Sequence, residues 1–139
     1  MVGMGIIGTG FAAEFHVHGY LQASGARIVA VAGHSAAKAQ AFAERHGISR
    51  WYSDSRGLVG DPSVDLVDLA VPNPLHHELA IEALRAGKHV VCEKPLTGCF
   101  LDGATPRARM LEEALRNADA MIEASELHGR MIMYGENLV

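Results

Sequence analysis

The chain has 139 residues, of which 49% are hydrophobic and 20% charged, and carries a formal net charge of -4; this is the balance of one folded globular domain, far from disorder. Scattered basic residues on a net negative chain disfavour a nucleic-acid partner. There is no basic leader, and no apolar run nears the roughly 20 residues of a membrane helix, which predicts a cytoplasmic protein with no membrane partner.

Met4 to Ile7 is short, apolar and bounded by glycine, and Ala26 to Ala32 reads "ARIVAVA"; both fit strands buried on two faces. Between them Phe11 to Ala23 carries helix formers and is closed by Ser24-Gly25, a helix stop. Ser35 is placed to cap a helix running through His46 with Gly47 at its end, and Trp51-Tyr52 begins a third extended piece. Asp61-Pro62 punctuates before "LVDLAV", Leu66 to Val71, an interior strand. Pro72-Asn73-Pro74 breaks that strand ahead of a helix from Leu75 to Ala86, which Gly87 ends. "HVVCE", His89 to Glu93, is a further strand. Thr97 to Arg109, with Gly98, Gly103 and Pro106, is expected to be an exposed loop. Leu111, Leu115, Ala118 and Ile122 recur at helical spacing within Leu111 to Leu127, and "RMIMY", Arg130 to Tyr134, is the last strand. Strands and helices alternate throughout residues 1–139, so the expected fold is α/β: one doubly wound, mostly parallel sheet with helices on both faces, a Rossmann domain.

Gly8, Gly10 and Ala13 spell G-x-G-x-x-A between a predicted strand and a predicted helix, the context a dinucleotide cradle requires; a plain strand-to-helix turn is the alternative, and the context favours the cradle. Gly8 permits the tight turn, Gly10 leaves room for a pyrophosphate, and Ala13 lets the helix approach the sheet. Thr9, Phe11 and Ala12 complete the turn, and the helix N-terminus offers free N–H groups to phosphate. At the end of the second strand, where an NAD site places an acid, stands Gly33, followed by His34, Ser35 and Lys38. With no carboxylate to repel it, a ribose 2'-phosphate is accommodated there, which puts NADP ahead of NAD; a helix cap by Ser35 and a solvated Lys38 are the plain alternative. Val71 ends one strand, and Pro72, Asn73 and His76 lie beyond its carboxyl end; they either line a cofactor or make a turn. Glu93, Lys94 and Pro95 follow another, at the edge where open parallel sheets bind ligands. A lysine there can polarise a substrate oxygen, with Glu93 orienting it; on residue types alone a solvated Glu-Lys pair at a strand end is the plainer reading. The two cysteines, Cys92 and Cys99, are too few for a disulfide scaffold. The eight histidines lack clustered partners, so no metal is expected.

Taken together, "GIIGTGFAAEFH", "DPSVDLVDLAVPNPLHHELAIEALRAGKHVVCEKPL" and "DAMIEASELHGRMIMYGEN" resemble the N-terminal Rossmann domain of the glucose-fructose oxidoreductase and inositol dehydrogenase (Gfo/Idh/MocA) family. The most specific piece is Glu93-Lys94-Pro95. The resemblance implies NAD(P)-dependent hydride transfer on a sugar, cyclitol or related polyol. It makes Gly8, Gly10 and Ala13 pyrophosphate contacts and sets His34 and Ser35 beside the adenosine ribose. Pro72, Asn73 and His76 become liners of the cofactor groove. Glu93 and Lys94 reach toward nicotinamide and substrate, with Lys94 polarising the reacting oxygen, and Glu136-Asn137 borders the same site. Family members continue into a second α/β domain, which supplies the substrate pocket and an Asp and His acid/base pair and often mediates oligomerisation; a homo-oligomer is therefore allowed. That domain is absent from this chain, so the chain alone is expected to bind cofactor with little turnover. The alternative is a non-catalytic nucleotide-binding or sensor module in which Lys94 is structural.

Overall fold

The computed structural model describes residues 1–98 and 105–135. Its six strands are β1 (Val2–Ile7), β2 (Ala26–Ala32), β3 (Arg50–Tyr52), β4 (Leu66–Leu69), β5 (His89–Glu93) and β6 (Ile132–Gly135). Five α-helices alternate with them: α1 (Phe11–Tyr20), α2 (Ala36–His46), α3 (Ser55–Val59), α4 (His76–Arg85) and α5 (Arg107–His128). All strand pairs are parallel, in the order β3-β2-β1-β4-β5-β6. β1 is therefore central, with Ile7 beside Ala32 on one side and Leu69 on the other.

Near-continuous apolar strands are what a sheet covered on both faces demands. Ile6, Val17, Val31 and Phe42 form the core under α1 and α2, and Leu58, Leu69, Leu84, Val90 and Met121 the core under α3, α4 and α5. Each fully buried side chain of this size contributes about 2 kcal/mol from removal of apolar surface from water.

α2 begins and ends where its sequence says. Ser35 caps it, the hydroxyl accepting from the Lys38 N–H at 3.5 Å, and Gly47 closes it at φ 65. α1 stops at Tyr20, short of the expected Ala23, because Gln22 and Ala23 bond back three residues to Gly19 and Tyr20 and tighten the chain. The strand expected over Leu66 to Val71 ends at Leu69, and Pro72 leads into a single 3-10 turn, Asn73–Leu75, before α4. α3 was not expected; Asp54 caps it, accepting from the Gly57 N–H at 2.9 Å. α5 starts at Arg107, inside the loop expected over Thr97 to Arg109, because the Pro106 carbonyl accepts from Arg109 and Met110 and opens the helix early. Residues 99–104 of that loop, and Glu136-Asn137, lie outside the described residues.

A polar clamp holds β3 to the turn before β4. Arg50 Nη1 and the Tyr52 hydroxyl donate to Asp61 at 2.8 and 3.0 Å, as does the Ser63 N–H at 2.8 Å. Burial pushes the Asp61 carboxyl up, but the bonds from Ser63, Arg50 and Tyr52 outweigh it and hold it far below the ordinary carboxylate range. Among the described residues no helix is long and apolar enough to cross a membrane.

Candidate functional site

Strand order reverses between β1 and β4, and an open parallel sheet has a crevice at that point, outside the carboxyl ends of its strands. Here it is a groove of about 730 Å³. Ile7, Gly8, Thr9 and Gly10 form its floor, Gly33, His34, Lys38, Ser53, Asp54 and Ser55 one end, and Ala70, Val71, Pro72, Leu75 and Leu79 the facing wall.

The two glycines of the floor do different work. Gly8 has φ +124, and a Cβ there would stand 2.1 Å from the Ala70 carbonyl oxygen, so only glycine fits the turn. Its N–H is spent on Ala32 at 2.8 Å. Around Gly10 a Cβ would meet nothing within 4 Å; its lack of a side chain leaves space above the turn. Gly10 is also the N-cap of α1, and no side chain caps that helix. Uncapped N–H groups with the positive end of a helix dipole behind them constitute an anion site. Ala13 is fully buried, seating α1 on the sheet. The glycine turn, the open space and the uncapped helix together fit a dinucleotide's pyrophosphate.

At one end of the groove the absence of an acid at Gly33 has a packing side: a Cβ there would lie 3.1 Å from the Thr9 methyl. His34 and Lys38 line the groove, whereas Ser35 is engaged as the α2 cap and does not line it. An acid does reach this end from another strand. Asp54, with Ser53, enters from the β3–α3 turn, a residue that reading the end of the second strand alone does not find.

Of the remaining expected cofactor residues, Val71 and Pro72 line the groove, and the others stand off it. Phe11 is 88% exposed. Asn73 opens the 3-10 turn, and Ala12 packs against the core beneath α1. His76, expected in the groove, is 0% exposed behind its wall: Nδ1 lies 2.8 Å from the Pro95 carbonyl and Nε2 3.1 Å from the Val71 carbonyl. Its role is therefore to tie the end of β4 to the turn after β5, because a buried imidazole must spend its polar atoms on the backbone around it.

That turn carries Glu93, Lys94 and Pro95 beyond the groove's lining, with the Lys94–Pro95 peptide cis. Glu93 Oε2 accepts from the Lys94 N–H at 3.2 Å, and Glu93 Oε1 lies 3.0 Å from His16 Nε2. The other ring nitrogen of His16, Nδ1, is 2.8 Å from Asp68 Oδ2, on a side chain with no exposure at all. Hydrogen bonding to Asp68 is the main reason His16 titrates above the ordinary histidine range; burial opposes it, and the charges of Asp68 and Glu93 add to it. Tyr20, one turn further along α1, is raised by burial and by the same two carboxylates. Burial, with those charges, also pushes the Cys92 thiol up to about 12. His16, Asp68 and Tyr20 were not among the expected site residues. Asp68 had a signal: a carboxylate inside "LVDLAV" cannot be buried in a sheet without a partner. Among the described residues no group of His, Cys, Asp and Glu is arranged to hold a metal ion.

The family model described as an oxidoreductase family with an NAD-binding Rossmann fold (Gfo/Idh/MocA) matches residues 2–135. The chain is 38% identical over 118 residues to the 1,5-anhydro-D-fructose reductase of Ensifer adhaerens, covering 85% of this chain and 34% of that protein. It is 31% identical over 124 residues to the NADP(+) scyllo-inositol 2-dehydrogenase of Bacillus subtilis, covering 89% of this chain and 37% of that one. Among solved structures, Synechocystis biliverdin reductase in complex with biliverdin and NADP+ superposes with a TM-score of 0.77 at 29% identity, over 96% of this chain and 37% of that chain. The chain thus spans about a third of the length of the relatives it matches.

Proposed function

The chain belongs to this Gfo/Idh/MocA oxidoreductase family, and on that premise we propose that it is the cofactor-binding part of an NAD(P)-dependent oxidoreductase acting on a sugar, cyclitol or related polyol. The observation that carries the proposal is the uncapped start of α1 at Gly10, with open space above that glycine, at the sheet's switch point. When bound, the nicotinamide cofactor supplies the hydride acceptor or donor. The chain's own residues do the holding. Thr9, Gly10 and the first N–H groups of α1 receive the pyrophosphate. Val71 and Pro72 close the apolar wall against the cofactor.

His34 and Lys38, with no acid at Gly33 and with the Asp54 carboxylate engaged as the α3 cap, take a ribose 2'-phosphate, so NADP(H) is bound ahead of NAD(H); the NADP-linked relatives support that order. Lys94 reaches the reacting oxygen and polarises it, and Glu93 sets the lysine's backbone. In this reading the residues that choose the polyol lie outside the chain, which binds cofactor without efficient turnover, because hydride transfer needs the substrate carbon held against the ring. The setting is the cytoplasm, where Cys92, a free thiol buried in β5, stays reduced.

Calorimetric titration with NADPH and with NADH at one fixed salt concentration tests the reading. Tighter NADPH binding is expected. Tighter NADH binding removes His34 and Lys38 as phosphate contacts, and no binding of either overturns the cofactor assignment. Efficient turnover of sugars by the chain itself would overturn the division of labour.

A further inference from the structure

α1 does two things at once. Its first turn is the candidate phosphate cradle, and its middle reaches across the sheet edge to the turn after β5. His16 lies five residues into the helix from Phe11, about 7.5 Å along its axis at 1.5 Å per residue. Its ring is held between two carboxylates from neighbouring strands, Asp68 of β4 at 2.8 Å and Glu93 of β5 at 3.0 Å. Glu93 in turn accepts the Lys94 backbone N–H with its second oxygen. The chain of contacts is therefore continuous: α1, imidazole, Glu93 carboxylate, Lys94 backbone.

We propose that His16, held between Asp68 and Glu93, is a positioning residue that sets the Glu93–Lys94 turn at a fixed place relative to the helix bearing the phosphate cradle. This rests on the reading of Lys94 as the residue that meets substrate. No packing need explains the arrangement. An apolar residue at 68 and another at 16 would satisfy the same layer without placing a charge in it, and such replacements are commonly neutral or stabilising. What the polar trio provides is direction, because each bond has a fixed length and angle.

The link depends on a proton. Both ring nitrogens face carboxylate oxygens, and a ring donates from both only when doubly protonated. The groups around His16 are Asp68 from β4, Glu93 from β5 and, on α1 itself, Tyr20, whose ring meets the imidazole edge-on at 6.2 Å between centroids; Cys92 of β5 lies in the field of the same carboxylates. When the ring loses one proton it can donate to only one of the two. Asp68 has no exposure and is held by Tyr20 besides the ring, whereas Glu93 keeps 19% and can turn to solvent, so the remaining proton stays on Nδ1 toward Asp68 and Glu93 is released. The Lys94 turn is thus held firmly below the histidine's titration and loosened above it.

Nitrogen-15 and proton NMR of the cofactor-free chain, titrated with base, reads this directly. The expected result is that the Lys94 amide shifts with the same midpoint as the His16 ring, and that His16→Gln abolishes the inflection at Lys94. A Lys94 amide that ignores the ring's titration, or one that titrates unchanged in His16→Gln, overturns the proposal. Should His16→Gln fail to fold, Glu93→Gln serves: the ring midpoint falls and Lys94 ceases to follow it, while an unchanged ring midpoint overturns the link. None of these readouts uses cofactor. A failure of NADPH to bind overturns the proposed function alone and leaves the positioning result standing.

Discussion

Gly8 and Gly10 are both glycine, but one answers to the backbone and the other to a ligand. Gly8→Ala puts a methyl 2.1 Å from the Ala70 carbonyl at φ +124, and urea unfolding is expected to show a loss of at least about 2 kcal/mol. Gly10→Ala meets nothing within 4 Å, at φ -95 and ψ -166, a conformation alanine adopts freely. Its stability should stay within about 0.5 kcal/mol of the parent. Its NADPH affinity should fall by about tenfold or more in the same calorimetric titration, because the methyl occupies the phosphate's space. The pattern G-x-G-x-x-A gives both positions and their separate reasons from the sequence; the structure adds the Ala70 carbonyl that a side chain at Gly8 would strike and the open space above Gly10. His16 makes the second residue-scale prediction. Its folded-state pKa is raised above 6.5, so the stabilisation it contributes is fully present below pH 6.5 and is lost as pH rises through the folded value. Urea unfolding of the parent and of His16→Gln should therefore differ most in mild acid, and the gap should narrow as pH rises above neutrality. A gap that widens with pH would show that the ring is held neutral.

At the scale of elements, the caps decide which ends were legible. α2 could be read to the residue because Ser35 and Gly47 are local signals with a fixed geometry. α3 could not, being five residues long with no room for an apolar period to show. The polar start of α5, Arg107 to Arg109, hid for the same reason: it carries no apolar stripe, and what opens the helix is the Pro106 carbonyl. Asp54 belongs to this scale twice, as the α3 cap and as a carboxylate in the groove with His34 and Lys38. Asp54→Ala is expected to cost about 1 kcal/mol of stability through the lost cap. Asp54→Asn keeps a capping oxygen and removes a negative charge from the end assigned to the 2'-phosphate. It should leave the unfolding midpoint near that of the parent and tighten NADPH more than NADH; equal effects on the two would place the 2'-phosphate elsewhere.

Over the whole molecule, helices cover both faces of the sheet, yet α5 is only lightly seated. Met121 and Ala124 are its buried residues, while Leu111, Leu115, Ile122 and Leu127, with Met131 just beyond the helix, stand exposed. Leu111, Leu115 and Ile122 share one side of the helix at 3.6 residues per turn, and an exposed apolar stripe of that kind favours association in water. Sedimentation velocity at rising concentration is expected to show self-association, and Leu115→Glu with Ile122→Glu should suppress it without moving the thermal midpoint; a parent that stays monomeric throughout would show the face to be inert.

What the sequence by itself determined was whatever depends on neighbours along the chain: the alternation of strands and helices, the glycine turn, the α2 caps, the extent of β5, and the cluster of residues at strand ends that marks an α/β ligand edge. Each follows from backbone geometry or from periodicity within one element, which a single chain order encodes. What only the tertiary structure decided was which side chains meet across elements. His76 left the groove for the backbone behind it, Asp54 entered from the turn after the third strand, and His16 met Asp68 and Glu93, 52 and 77 residues away. Those contacts follow from the order in which strands lie side by side, and a buried carboxylate announces that it needs a partner without saying which distant residue the sheet will bring to it.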